Sequence, residues 1–570
     1  MKLVFKYLKK HIGIFLLSMF FLVIEAVADL LQPTFMSYIV DRGVAEANLD
    51  AILRYGAIML SIAAAGALGA VMRNLYSSRI SQLVGKELRA DMYRHVQELS
   101  LENIDKLQSA SVITRITNDV TQIQDFINSL MRIMGKAPIT CIGAITLILL
   151  RTPKQAPVML GILVLCGFLI YGNIRLGYPR FGMVQKKLDA LNNVSREYLN
   201  SVRVVKAFTA EDEEEEKFEE ASISLADANV SALRAMAVFS PLINLAVNFG
   251  IVFLLWLSSR SDMGGIGRVM ASVSYMTQVL FSLGMISNVI NTAVRAAASA
   301  ERIEEVLTEI PAQEVSETVK KPALAGNLIF EHISFRYRGA AGTALTDVSF
   351  SVKAGETLGI IGPTGSGKTT LINLVLRLYD ATEGRVFLDG TDVREIDSGT
   401  LRAAVGLVPQ RSLLFTGTVE ENVRWGDENA SREKVEKACR TACAEEFILS
   451  RPEGYSTMLG QGGVNLSGGQ KQRLSLARAL VREPKILILD DCTSALDAAT
   501  EASVLGSLQN EAGVRTVLLI SQRISTVRKA DRILCLDNGQ VQGFGTHEEL
   551  LKNSEVYRAI YRSQIGGEEE

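Results

Sequence analysis

The chain is poor in the residues that build metal and disulfide sites. Its six cysteines, Cys141, Cys166, Cys439, Cys443, Cys492 and Cys535, show no paired ligand spacing. Cys439 and Cys443 fall one helical turn apart in a polar stretch, so buried or incidental thiols are expected rather than a disulfide framework or a zinc site. The four histidines, His11, His95, His332 and His547, are scattered, which argues against a histidine metal cluster. No excess of one charge is present either: 60 Lys and Arg against 62 Asp and Glu leave −2, and nothing in the bulk electrostatics calls for a nucleic-acid partner. What residues 1 to about 295 lack is charge altogether over long runs, whereas the sequence beyond 325 reads as a soluble domain. The mean hydropathy of +0.20 averages two unlike halves. A length of 570 residues is too great for one ordinary domain.

In the first half six apolar segments come close to the ~20 residues that a helix needs to cross a bilayer. Their cores lie near 12–36, 55–75, 131–150, 156–176, 236–258 and 270–292. The basic start, with Lys2, Lys6, Lys9 and Lys10, precedes an apolar run that continues towards Pro33, longer than a signal peptide's, so an uncleaved membrane helix is expected. Short turns, around Arg151-Thr152-Pro153-Lys154 and Asp262-Met263-Gly264-Gly265, join the third helix to the fourth and the fifth to the sixth. Residues 76–130 and 177–232 are instead long, polar and rich in Arg and Lys, which places them with the N-terminus in the cytoplasm. An even number of crossings then returns the chain to the cytoplasm before residue 300. The long connections suit helices that extend below the membrane to another domain. Of these, Ser201 to Phe208 is apolar enough to dock, and Glu211 to Glu216 reads as a solvated helix face, since it lacks the ligand spacing of a calcium loop.

Glu25 and Asp29 stand four residues apart in the first membrane helix, on one face. Ionisable groups in lipid are costly and turn towards the bundle or a wet cavity. Two readings stand: a polar patch lining a substrate path, or a structural contact with a neighbouring helix.

The second half changes pattern after Pro311 and Lys320-Lys321-Pro322. A short buried strand, Thr357 to Ile361, opens into Gly362-Pro363-Thr364-Gly365-Ser366-Gly367-Lys368-Thr369 and then an apolar helix from Thr370. Glycines let backbone N–H groups wrap phosphates, the helix start adds its dipole, Lys368 supplies a charge, and the Thr369 hydroxyl suits Mg²⁺. The apolar strand ending at Asp490 sets a carboxylate at the carboxyl edge of a parallel sheet, where a Mg²⁺-associated acid belongs. Ser467-Gly468-Gly469-Gln470 precedes another helix start, a second anion-binding device. With the P-loop already cradling this chain's phosphates, it is expected to meet the nucleotide of a second copy or partner.

On these motifs in this order, the chain resembles an ATP-binding cassette (ABC) exporter half-transporter over nearly its whole length. The resemblance implies a helical transmembrane bundle over 1–310, a linker over 311–325, an α/β P-loop cassette over 326–565 and an acidic tail at 566–570. It implies that Tyr337 stacks on adenine, that Thr370 completes the P-loop, that Gln410 touches Mg²⁺ and signals to the membrane domain, and that the loop Ser494-Ala495-Leu496-Asp497 crosses between two cassettes. The implied cofactors are ATP and Mg²⁺, and the implied activity is an ATPase that drives outward transport of amphipathic compounds, drug-like, lipid or peptide, across the cell membrane.

The chain departs from that family at two catalytic positions. Asp491 stands where a glutamate polarises the attacking water, and its carboxylate is set back by about 1.5 Å, one carbon–carbon bond. Gln522 stands where a histidine contacts the γ-phosphate, and it can donate a hydrogen bond but not carry charge. Misplacement of a catalytic group by about 1 Å costs on the order of a hundredfold in rate. The capping loop Ser467 to Gln470 is intact. This combination suggests the weakened half of a heterodimer, one that caps a competent site on a non-identical partner. A homodimer with slow turnover and an ATP-gated regulatory protein are the alternatives. Gln461, where exporters often carry glutamate, is a further small departure.

Overall fold

The computed structural model describes residues 1–565 except 152, 154–155, 261–264, 314–318 and 511–514, and sets aside the side chains of 178, 240, 254, 257–260, 283–284, 286–291 and 509–510. The expected turns at Thr152 and Lys154 and at Asp262 to Gly264, part of the linker, and the acidic tail at 566–570 therefore lie outside the described residues. The chain divides into two compact units, Met1–Gln97 with Ala110–Thr308, and Glu98–Ser109 with Glu309–Glu570.

The first unit is helical throughout. Its long helices include Ile12–Tyr38, Leu49–Glu98, Lys136–Arg151, Ala156–Phe208, Glu211–Ala237, Phe239–Arg260 and Ile266–Thr308. Among the described residues five helical stretches are long and apolar enough to cross a membrane, beginning at Ile12, Leu49, Ser109, Ala156 and Glu211. The expected sixth, 270–292, falls within Ile266–Thr308, several of whose side chains are among those set aside. Leu49–Glu98 runs unbroken for 50 residues and Ala156–Phe208 for 53. At about 1.5 Å per residue both exceed twice the ~30 Å hydrocarbon thickness, so the polar connections read from the sequence are continuations of the apolar helices. The acidic run from Glu211 opens Glu211–Ala237 and fills its first turn, the end where carboxylates favour the helix dipole.

Small residues bring the helices together. A Cβ on Gly69 would meet the Phe21 carbonyl at 3.1 Å, so Leu49–Glu98 approaches Ile12–Tyr38 backbone to backbone. Further along the unit, Asp119 accepts from Arg302 Nε at 2.8 Å and from Ser299 Oγ at 2.9 Å, tying the third helical stretch to Ile266–Thr308.

The second unit holds two sheets. The six-stranded one runs Gln540–Gly545, Arg532–Asp537, Thr357–Ile361, Thr516–Ile520, Ile486–Asp490, Val405–Val408. All its pairings are parallel except the edge pair of the first two. Its central strands are apolar on both faces, as strands covered on both sides must be. An antiparallel sheet of Leu345–Val352, Leu328–Phe335, Glu383–Leu388 and Thr391–Asp392 lies beside it. Register sets the site: Ile520 pairs with both Ile360 and Asp490, so three strands end level and their following residues converge.

The short helix Leu101–Leu107 is remote in sequence yet belongs to this unit. Asn103 Nδ2 donates to Glu309 Oε1 and to the Ile310 carbonyl, each at 2.9 Å, and the Ala312 N–H donates back to Asn103 Oδ1 at 2.8 Å. Lys106 pairs with Glu309 at 2.7 Å, and the Tyr379 hydroxyl donates to Asp105.

Candidate functional site: a phosphate-binding cleft at the sheet edge

The loop 362–367 leaves the strand Thr357–Ile361 and turns into the helix Lys368–Val375. Gly367 sits at φ +98° as the residue before that helix, and a Cβ there would lie 2.7 Å from the Ala344 carbonyl. Only glycine meets both demands. Lys368 curls over the loop and donates to the Gly362 carbonyl at 2.8 Å, the Pro363 carbonyl at 2.6 Å and Ser366 Oγ at 3.2 Å.

The loop forms one wall of a cleft of about 350 Å³. Thr364, Gly365, Ser366, Thr369 and Thr370 line it with Lys368, and Tyr337, Gln410, Asp490, Asp491 and Gln522 close it. The structure thus brings together the sequence-predicted nucleotide residues from five separate segments. Gly362 and Pro363 sit at the base of the loop as acceptors for Lys368. Tyr337 is half-buried, its hydroxyl within 3.1 Å of Thr370 Oγ1, with its ring edge-on to Phe335 and Tyr379 at 4.8 and 5.3 Å.

Electrostatics reveal what the cleft is short of. Burial pushes the Asp490 carboxyl above its ordinary range, and the neighbouring Asp491 charge adds to this against the pull of Lys368. Burial likewise raises Asp491, opposed by Arg523 and by Gln410, whose Nε2 donates to Asp491 Oδ2 at 3.4 Å. Burial lowers Lys368, partly offset by the two aspartates. Two crowded acids beside a hydroxyl and an amide are a hard-oxygen donor set, and a divalent cation would relieve their repulsion. The residues fit Mg²⁺.

Asp491 adopts φ +45°, with its N–H bound to the Ile520 carbonyl at 2.9 Å. Gln522 is exposed, but its main chain is held from the C-terminal helix Glu555–Ile565: Gln564 Nε2 donates to the Gln522 carbonyl at 2.5 Å, while Gln564 Oε1 accepts the Ile524 N–H at 2.8 Å.

Ser467 to Gln470 do not line this cleft. Ser467 caps the 13-residue helix Gly468–Leu480, its Oγ accepting the Gln470 N–H at 3.3 Å while Gln470 Oε1 accepts the Ser467 N–H at 3.0 Å. This capping box leaves Ser467 and Gly468 exposed. The loop is nonetheless linked to Asp491. Gln472, in the same helix, accepts the Ala495 N–H at 3.2 Å and donates to Ser494 Oγ at 3.4 Å, and Ser494 Oγ donates to the Asp491 carbonyl at 2.9 Å. Asp497 caps Ala498–Asn510 through the Thr500 N–H at 2.9 Å.

Gln472 and Gln564 were not legible as site residues in the sequence. Nothing in their spacing marks them; only the fold brings them to the strand ends.

Glu25 and Asp29 belong to a separate cluster in the helical unit. Arg73 Nε donates to Glu25 at 2.6 Å, and Lys136 pairs with Glu25 at 2.6 Å and with Asp29 at 2.7 Å. Both acids are therefore in ion pairs with neighbouring helices.

The chain matches two family descriptions, "ABC transporter transmembrane region" over residues 15–283 and "ABC transporter" over 345–494. It is 38% identical to the ABC transporter ATP-binding protein YfiB of Bacillus subtilis, over 97% of this chain and 96% of that protein. It is 32% identical to the ATP-dependent lipid A-core flippase of Pseudomonas aeruginosa, over 97% and 94% of the two chains. A bacterial Atm1-family ABC exporter solved with ATP bound superposes with a TM-score of 0.76 at 26% identity, covering 99% of each chain. Phosphate loop, level strand ends, the exposed Ser467–Gln470 loop and these likenesses lead to one conclusion: the chain belongs to the ABC transporter family, as an exporter half-transporter whose membrane region and α/β cassette couple ATP hydrolysis to transport.

Proposed function

We propose that this chain is the catalytically weakened subunit of a heterodimeric exporter. Its own P-loop binds ATP with Mg²⁺ and turns it over slowly, while its Ser467–Gln470 loop caps ATP held by a non-identical partner. The observation that carries this reading is that Asp491 and Gln522 are among the groups that line the cleft with the phosphate loop. A shorter carboxylate and an uncharged amide therefore occupy the positions from which water would be polarised and phosphate charge met.

Thr369, Gln410 and Asp490 would hold Mg²⁺, which would supply charge that neutralises the phosphates; Tyr337 would pack on the adenine. With Asp490 committed to that ion, Asp491 would be left to orient water from about one carbon–carbon bond too far back. The link from Gln472 through Ser494 to Asp491 couples the exposed cap to this chain's own acid, so occupancy of the partner's site is felt here. Ser494 and Asp497 lie on the loop that meets the opposing cassette. ATP binding favours the closed pair of cassettes by differential affinity, and hydrolysis at the partner's site resets it.

In the membrane, six crossings place the N-terminus and cassette in the cytoplasm, with residues 1–310 as the transmembrane domain, 311–325 as linker and 326–565 as cassette. The transported compound is amphipathic, in keeping with the lipid named for the Pseudomonas relative. Glu25 and Asp29 lie beside its path, their charges already balanced by Arg73 and Lys136.

Co-expression with candidate partner half-transporters tests the assignment. Asp491→Asn in this chain is expected to leave most ATP turnover intact, whereas the partner's glutamate→glutamine removes nearly all of it. Equal losses from the two changes, or brisk turnover by this chain alone, would reject the asymmetric pair.

A further inference from the structure

A polar cleft of about 340 Å³ opens where three helices of the membrane unit end together. Tyr38 closes Ile12–Tyr38, Arg151 closes Lys136–Arg151, and Arg268 lies in the first turn of Ile266–Thr308; Arg42 follows Tyr38 in the π-helical turn Ile39–Val44. All four side chains line the cleft, with hydroxyl groups of Thr34 and Tyr275 deeper in it.

The charge arrangement is unusual. Arg42 and Arg151 both stack on the Tyr38 ring, with guanidinium carbons 5.2 and 5.3 Å from its centroid. Their polar contacts are tyrosine hydroxyls: Arg42 donates to Tyr55 at 3.1 Å and Arg151 to Tyr38. Among the described residues no carboxylate makes an ion pair with Arg42, Arg151 or Arg268. Asp41 also lines the cleft, and one of its carboxylate oxygens accepts the Gly267 N–H at 2.7 Å at the start of Ile266–Thr308. Arg268 sits at that same helix start, the end where a cation is disfavoured. Three arginines thus converge with two acids nearby, Asp41, which holds the Gly267 N–H, and Glu46, whose charge acts on Arg42, so the cleft keeps an excess of positive charge.

Like charges gathered on one aromatic ring repel unless an anion joins them. Guanidinium groups are suited to phosphate oxygens, which they meet in pairs. The level of the cleft is also telling, since apolar spans end at Val44 and Arg151, the level at which headgroups of a bilayer leaflet would lie. We propose that this cleft is a binding site for a phosphate anion, supplied by an anionic lipid headgroup or by free phosphate, held between Arg151, Arg268 and Arg42. The site is independent of the ATP cleft and of the heterodimer reading.

The test uses the full-length protein in non-ionic detergent, with native mass spectrometry as the readout. Phosphatidic acid is expected to be retained and phosphatidylcholine lost. The double variant Arg151→Gln/Arg268→Gln should weaken retention about tenfold or more, while Arg175→Gln, an exposed arginine elsewhere, leaves it unchanged. Displacement by millimolar inorganic phosphate would identify a site filled from solution; resistance to it would identify a headgroup site. In the wild-type protein, phosphatidic acid or phosphate should protect Arg151 and Arg268 from phenylglyoxal, which covers the case of a double variant that fails to fold. Equal retention of both lipids, unchanged binding by the double variant, or no protection by either anion would overturn the proposal.

Discussion

The side-chain amide of Gln564 clasps the main chain on both sides of Arg523, donating to the Gln522 carbonyl at 2.5 Å and accepting from the Ile524 N–H at 2.8 Å. A residue of the last described helix thereby fixes the segment that presents Gln522 to the ATP cleft. Gln564→Ala removes both bonds, each worth about 1 kcal/mol. Amide hydrogen exchange over Ser521 to Val527 should accelerate by roughly tenfold or more, with the helix Gly468–Leu480 unaffected. Gln564→Glu keeps the acceptor and loses the donor, so an intermediate effect is expected.

Restoring length to the acid should restore rate. In an assembled transporter whose partner site is silenced, Asp491→Glu is expected to raise ATP turnover by about tenfold or more, since a displacement near 1 Å is worth up to a hundredfold. Adding Gln522→His should raise it further. Steady-state phosphate release measures both, and no gain from either change would show that the weakness lies elsewhere.

Asp490 and Asp491 burden the nucleotide-free cassette. Both carboxyls are raised by burial, and a raised acid favours its protonated form in the fold. Their cost therefore grows as pH rises from the ordinary carboxylate range through the raised values, and is fully present above them. Asp490→Asn should lift the melting temperature of the nucleotide-free protein by about 2 °C at neutral pH. The gain should shrink at acidic pH, and the stabilisation by Mg²⁺ and ATP should fall. Differential scanning fluorimetry across pH checks all three signs.

The sequence made the cassette more legible than the membrane unit, for a physical reason. A P-loop needs glycine where φ is positive and a backbone carbonyl stands close, as at Gly367, so its chemistry is written locally. The place of Asp490 was similarly readable, because a strand apolar on both faces that ends in an acid sets that acid at the sheet edge, and there it lines the cleft. Gln472 and Gln564 were not, since their partners lie 23 and 40 residues away and arise from the register of parallel strands. Glu25 and Asp29 were visible as buried acids, but their partners Arg73 and Lys136 are 48 and 111 residues from Glu25, a distance no periodicity spans.

Gly367→Ala should abolish ATP-dependent stabilisation. The position combines φ +98° with a would-be Cβ 2.6 Å from Leu345, and such backbone strain costs about 1–3 kcal/mol. Loss of the thermal shift on adding Mg²⁺ and ATP, with the shift retained in Gly506→Ala, where a Cβ in the helix Ala498–Asn510 meets open space, is the expected result.

Removing one member of the intramembrane cluster should be worse than removing two. Arg73→Met leaves Glu25 buried with Lys136 as its remaining partner, and breaking such pairs costs about 3–5 kcal/mol. The double change Glu25→Gln/Arg73→Met should recover part of the loss. Yield and monodispersity after detergent extraction give the comparison.

Asn103, Asp105 and Lys106 are stitched to Glu309, Ala312 and Tyr379, so the ATP-binding body is assembled from two stretches of chain more than 200 residues apart. Gene fusions that swap cassettes between relatives at residue 309 would leave behind twelve residues that the incoming body expects, Glu98 to Ser109. A hybrid spliced at both seams carries its own lining, whereas one spliced at the second seam alone inherits a stranger's.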